Sequence, residues 1–224
     1  MKNIRHYPGL NMNRISPDNI IVFSQNKLTK VFMTKTRLEA FSDAVIAIVI
    51  TIMVLEMKIP HEATLHALAN LWEVFLSYAL SFLMLSIYWG NHHHLIHTLK
   101  EVSSGIMWAN LHLLFWLSLI PFATGWMGEN EFESMPVAVY AILSLCCGLA
   151  YYVLLMIIKS SNQHNQALLE VLGKQIRKGR LSCILYTLAI PVAYISSISG
   201  LGILFLVAFF WIIPDRNIEK SLKS

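Results

Sequence analysis

Four histidines fall within six residues, His92-His93-His94-Leu95-Ile96-His97, directly after Tyr88-Trp89-Gly90-Asn91. Imidazole is a common metal ligand and the side chain whose charge changes near neutral pH, so metal binding, proton transfer and hydrogen bonding are all open to such a run. On a helix, three consecutive histidines point in three directions, and only His93 and His97 have the i, i+4 spacing of a ligand pair. No second ligand pair at that spacing accompanies them, and the sequence has no His-Glu-x-x-His string, nucleophile elbow or phosphate loop. The expected role of the histidines is therefore packing and hydrogen bonding, with no resident metal or other cofactor and no enzymatic activity. A second ionisable group, Arg37-Leu38-Glu39-Ala40-Phe41-Ser42-Asp43, opens a long apolar stretch. Asp43 lies about 9 Å along a helix from Arg37 and needs a partner wherever that helix meets lipid.

The elements that position these residues follow from composition. The chain has 224 residues, 56% hydrophobic and 13% charged, with a mean hydropathy of +0.57. Soluble domains carry about a quarter charged residues, so this balance excludes an ordinary soluble protein and a disordered one alike. Three cysteines, two adjacent at Cys146 and Cys147, make no disulfide framework. A bilayer core needs about 20 apolar residues per helix. Such runs lie at about Leu38–Met57, Leu68–Trp89 (closed by Gly90 and the histidines), Ile106–Trp126 and Pro136–Ile158. Trp72, Trp89, Trp108 and Trp126 sit where an interfacial belt would hold them. The stretch from Leu181 to Ile213 is too long for one span and divides at Ser196-Ser197-Ile198-Ser199-Gly200 into two short ones. Six spans with both termini in the cytoplasm leave sixteen of the seventeen basic residues inside, with Lys58 alone outside, as the positive-inside rule requires. A five-span alternative would export the basic C-terminal tail. Residues 1–33 read as a basic tail without a fixed fold, 34–215 as a six-helix domain, and 216–224 as a short cytoplasmic tail.

The first span has two faces. On a helical wheel Phe41, Ile48, Ile52 and Leu55 fall within about 40° of one line and Thr51 about 60° to its side, while Glu39, Ser42 and Asp43 point the other way. The second span ends on the side where the first begins, so His92 or His93 can reach the level of Asp43 and Arg37. Asn110, early in the third span, enters from that side and can join them.

Arg37-x-x-x-Phe41-Ser42-Asp43 with its Ile-rich continuation and Leu55-Glu56 resembles the signature of the transmembrane protein 175 potassium channels. Trp89-x-x-His92-His93, Asn110-Leu111 and Pro121-Phe122-x-Thr124 resemble that family's second and third helix motifs. The resemblance covers about residues 34–215, with one six-helix repeat as in prokaryotic members. It implies an all-α membrane protein, homotetrameric, with the first helix of each subunit lining a central pore for potassium ions in the cell membrane. No Thr-Val-Gly-Tyr-Gly filter is present. By similarity, Ile48 and Leu55, with Ile52 beside them, correspond to apolar constrictions and Thr51 to a hydroxyl layer. Arg37, Phe41, Ser42, Asp43, His92, His93 and Asn110 correspond to a signature and polar network between helices. The activity implied is a leak-type, potassium-selective conductance.

Two rival classes remain at this level. A proton-coupled secondary transporter would use Asp43 and Glu39 as carriers, although no broken helices pair as repeats. A metal-binding membrane protein would use the histidines. Dispersed lysines and arginines near a membrane fit contact with anionic lipid heads rather than nucleic acid.

Overall fold

The structure is a computed structural model describing residues 33–99, 101–162 and 165–212. The tail expected over 1–33, except its last residue, and the one over 216–224 lie outside the described residues. Among those described there are helices and no strands: α1 Lys35–Leu55, α2 Leu65–Ala69, α3 Trp72–His97, α4 Ser104–Leu117, α5 Ile120–Glu129, α6 Ser134–Ser161, α7 Gln166–Ile195 and α8 Ser197–Ile212. With water absent from a bilayer core, a helix satisfies every backbone group internally, and an apolar run of this length takes that form. The helices α1, α3 and α6, and α4 with α5 taken together, are long and apolar enough to cross a membrane, and α8 is a shorter apolar helix.

The spans differ from the sequence expectation in four places. The second does not start at Leu68: Thr64 caps the separate short helix α2 through its side chain, and α3 begins at Trp72 after a turn. Nor is it closed at Gly90. A Cβ at Gly90 would meet nothing within 4 Å, so the helix runs through the glycine and carries the histidines to its end at His97. The third span is broken at Ser118-Leu119, because Pro121, in the first turn of α5, has no N–H to continue the ladder from α4. The expected fifth span falls in the second half of a 30-residue helix that begins at Gln166. Its charged first half keeps Leu168, Leu172 and Ile176, spaced at four residues, buried. The break between α7 and α8 falls where expected, at the extended residue Ser196.

The most extensive packing joins α6 to α7, and α6 also packs against α4, α5 and α8. Leu80, Leu85, Leu113, Cys147 and Leu154 are fully enclosed at this centre. In lipid such packing rests on close fit and polar links rather than on the hydrophobic effect. A tight approach falls at Gly128, where an added Cβ would come within 2.9 Å of Val74 Cα, so α5 lies directly on the start of α3. Beyond α5, Glu131 and Phe132 turn the chain with φ of 48° and 57°. The Phe132 ring is buried and packs against Trp72 at 5.9 Å, which holds this left-handed pair in place.

Candidate functional site

The first span sits at the edge of the bundle, with α3, α4 and α5 as its main neighbours. Thr34 caps it, accepting a hydrogen bond from the Arg37 N–H at 3.3 Å. Leu38, Ser42, Ile46, Val49 and Met53, spaced three or four apart, form its buried face. On the opposite side Phe41, Ile48, Ile52 and Leu55 are bare, Ile48 being 57% and Leu55 79% exposed. Thr51, also exposed, donates its hydroxyl proton to the Ile48 carbonyl at 2.9 Å. The hydroxyl oxygen therefore keeps only its lone pairs for whatever faces the helix. Arg37 lies one turn before Phe41, exposed on the same side, rather than with the polar face where the sequence reading grouped it. Beside the stripe runs a groove lined by Val45, Ile48, Ile52, Ser118, Pro121 and Phe122, opened by the break in the third span.

Behind α1 a chain of hydrogen bonds runs through three helices. Asn110 Nδ2 donates to Ser42 Oγ at 2.9 Å, and Ser42 Oγ donates to the Leu38 carbonyl at 2.8 Å. The amide oxygen of Asn110 lies 2.6 Å from His92 Nε2. Since that oxygen can only accept, His92 carries its proton on Nε2, and every donor in the chain then points toward α1. Ser42, His92 and Asn110 are all fully buried. The other ring nitrogen, His92 Nδ1, is buried without a hydrogen-bond partner among the described residues.

Beside this chain two rows of side chains face each other. Glu39 and Asp43 are one turn apart on α1; Trp89, His93 and His97 are successive turns of the antiparallel α3. Trp89 Nε1 donates to Asp43 Oδ1 at 3.0 Å. His93 Nδ1 and His97 Nε2 each lie 3.0 Å from Glu39 Oε1. Trp89 also stacks on His93 with ring centres 6.0 Å apart. The structure thus brings together Ser42, Asp43, His92, His93 and Asn110 of the expected network, and leaves Arg37 and Phe41 on the bare side. Sequence reasoning missed Glu39 and His97 as members and placed Trp89 in a belt. The signal was present in matching four-residue spacings, 39–43 on one helix and 89–93–97 on the other.

At the far end of α1 the polar residues are neutral. Ser81 Oγ lies 2.8 Å from the Tyr140 hydroxyl and 2.7 Å from Thr124 Oγ1, and all three residues are buried. Above them a cavity of about 290 Å³ is lined by Glu56, Glu73, Glu129 and Glu131 among others, with Lys58 bridging to Glu129 at 2.8 Å.

These features define an all-α, multi-pass membrane protein whose first span is braced behind and bare in front. The family model of the endosomal/lysosomal potassium channel TMEM175 matches residues 37–121, the segment holding most of α1, all of α3 and the polar network behind α1. A potassium channel of a Chryseobacterium species is 47% identical over 192 residues, covering 86% of this chain and all of that protein. A Streptomyces collinus potassium channel is 32% identical over 126 residues, 53% of this chain and 61% of that one. The crystal structure of a lysosomal potassium-selective channel TMEM175 homolog from Chamaesiphon minutus superposes with a TM-score of 0.72 at 25% identity, covering 80% of this chain and 96% of that chain. The chain belongs to the TMEM175 family.

Proposed function

We propose that this protein is a leak-type, potassium-selective channel of the cell membrane, a homotetramer in which α1 of each copy lines the central pore. The observation that carries the reading is the split character of α1. A helix held from behind by a buried hydrogen-bond chain presents an unpartnered stripe of Phe41, Ile48, Ile52 and Leu55 with one hydroxyl, Thr51. Relatives that carry the name potassium channel, one of them 47% identical, support the potassium-channel part of the reading. Four stripes facing one another enclose what a single apolar helix cannot. Rings of Ile48 and Leu55, about 10 Å apart along the axis, form constrictions that close the conduit by dewetting. Between them four Thr51 oxygens, their protons engaged within their own helices, offer lone pairs to a cation. A neutral ring of low field strength replaces the hydration shell of potassium more readily than that of sodium.

The excess of lysine and arginine at the Lys35 and Arg180 end puts that end, and both termini, in the cytoplasm. Glu56 and the acidic cavity behind it then stand at the outer mouth, where they raise the local cation concentration. The test is flux through purified protein in liposomes, with reversal potentials in opposed potassium and sodium gradients. A potassium-selective, non-saturating conductance supports the reading. Saturating flux coupled to a proton gradient would overturn it in favour of a transporter.

A further inference from the structure

The side chains at the inner end of α1 and α3 do more than a hydrogen-bond network requires. Glu39, His93 and His97 present three ligand atoms that all lie within 4.8 Å of one another. The two imidazole nitrogens each stand 3.0 Å from the same carboxylate oxygen. In a tetrahedral zinc site with bonds of about 2.0–2.1 Å, neighbouring ligand atoms are separated by roughly 3.3 Å, so both nitrogen–oxygen separations are already within a few tenths of an ångström of that geometry. The alignment argues the same way. His93 Nδ1 is buried and makes no aligned hydrogen bond among the described residues, with Glu39 Oε1 3.0 Å off as an ion-pair partner. With its proton on Nε2, that nitrogen keeps a lone pair free for a cation shared with the carboxylate. The site is also set by structure around it. The stacked Trp89 ring fixes the His93 plane, and the indole is itself anchored on Asp43, a second carboxylate one turn along. Water can supply a fourth ligand, since the His93 and His97 side chains are 38% and 44% exposed.

We propose that Glu39, His93 and His97 form a binding site for one divalent transition-metal ion, of which zinc fits best, tying the inner end of α1 to α3. Two nitrogens and one carboxylate oxygen select borderline ions over magnesium or calcium, which prefer all-oxygen shells. The sequence alone argued against a metal because the pair at 93 and 97 lacked a further ligand; the fold supplies it from another helix. One nearby charge opposes the ion: Lys35 Nζ is held on the His97 carbonyl at 2.8 Å. Asp43 offsets it. The consequence for transport, that an occupied site restrains α1 and lowers potassium flux, rests on the channel reading above, whereas binding itself does not.

The experiment is calorimetric titration of zinc chloride into purified, tag-free full-length protein in detergent. One ion per chain is expected, with His97→Ala and His93→Ala each weakening binding at least tenfold and His66→Ala leaving it unchanged. Glu39→Gln, nearly isosteric, is expected to weaken binding without lowering the melting temperature, which separates loss of a ligand from loss of fold. Absence of binding at micromolar zinc, or binding indifferent to His93→Ala and His97→Ala, would overturn the site. Potassium flux from liposomes is then measured with and without zinc; inhibition of the wild type that His97→Ala abolishes supports the coupling. Zinc binding in a protein that passes no potassium under any condition leaves the metal site standing and overturns the channel.

Discussion

The two faces of α1 are built from the same kinds of residue and meet opposite fates. Leu38, Ile46, Val49 and Met53 are 5% exposed or less, while Ile48, two residues from Ile46, is 57% exposed and Leu55 79%. Hydropathy does not separate them. What does is the placement of a few polar atoms. Ser42 stands toward the inner end of the buried face and is gripped by Asn110, and the carboxylates of Glu39 and Asp43 flank it facing α3. In lipid, where an apolar face gains little by choosing protein over acyl chains, such links decide which side of a helix turns inward. The face without them is left free for something else.

The sharpest way to break this comparison is one substitution made on each side. Ile46→Asn puts an amide with no partner into a closed space, and burying such a group costs on the order of 2–7 kcal/mol. The expected outcome is loss of the folded protein, read as aggregation in size-exclusion chromatography or a collapse of the melting temperature. Ile48→Asn makes the same chemical change two residues on, where the side chain is bare. It should melt within a few degrees of the wild type and raise potassium flux several-fold, because a wetted constriction no longer excludes ions. Equal damage at the two positions would mean that the faces do not differ in the native protein.

The next effect tests the bracing. Asn110→Leu removes two hydrogen bonds and strands the Nε2 proton of His92, which in membrane proteins costs roughly 1–3 kcal/mol for the pair. A lowered melting temperature in detergent is expected, with potassium-over-sodium selectivity unaltered in the folded fraction. Altered selectivity at unchanged stability would put Asn110 in the conduction path and erase the distinction between front and back. Smaller again is Thr51→Ala, for which stability stays put and the reversal-potential shift between potassium and sodium shrinks. Thr51→Ser, which keeps the oxygen, should retain most of the selectivity.

The sequence made the buried face legible only through its polar members. Ser42, Asp43, His92, His93 and Asn110 could be grouped because each is out of place in a membrane span, and burial of such groups demands partners. Arg37, which the resemblance groups with the network, is exposed four residues before Phe41, on the side of the stripe. The span ends were less legible. A glycine followed by three histidines looks like a terminus by composition, yet nothing crowds Gly90 and the helix continues. The charged half of α7 was invisible to a search for apolar runs, since it buries only one stripe, Leu168, Val171, Leu172, Gln175 and Ile176, between charged residues. Of the neutral cluster only Thr124 stood out, as part of a motif; Ser81 and Tyr140 did not, because single hydroxyls in a helix ordinarily satisfy themselves on their own backbone.

The smallest expected effect lies beyond the stripe, at the acidic mouth. Lys58 is 79% exposed and pairs with Glu129, itself 45% exposed, at 2.8 Å. An ion pair that open to solvent contributes about 0–1 kcal/mol, so Lys58→Gln should leave the melting temperature nearly unchanged. Its electrostatic effect is larger than its structural one. With the lysine gone, Glu56, Glu73, Glu129 and Glu131 line the cavity unopposed, and the mouth attracts cations more strongly. Potassium flux should rise modestly, by less than about two-fold, at low ionic strength, and the gain should vanish at 1 M salt, where the Debye length falls to about 3 Å. A gain that survives high salt would mean that Lys58 obstructs the path sterically. A clear fall in stability would mean that the mouth, like the buried face, is held together by its charges.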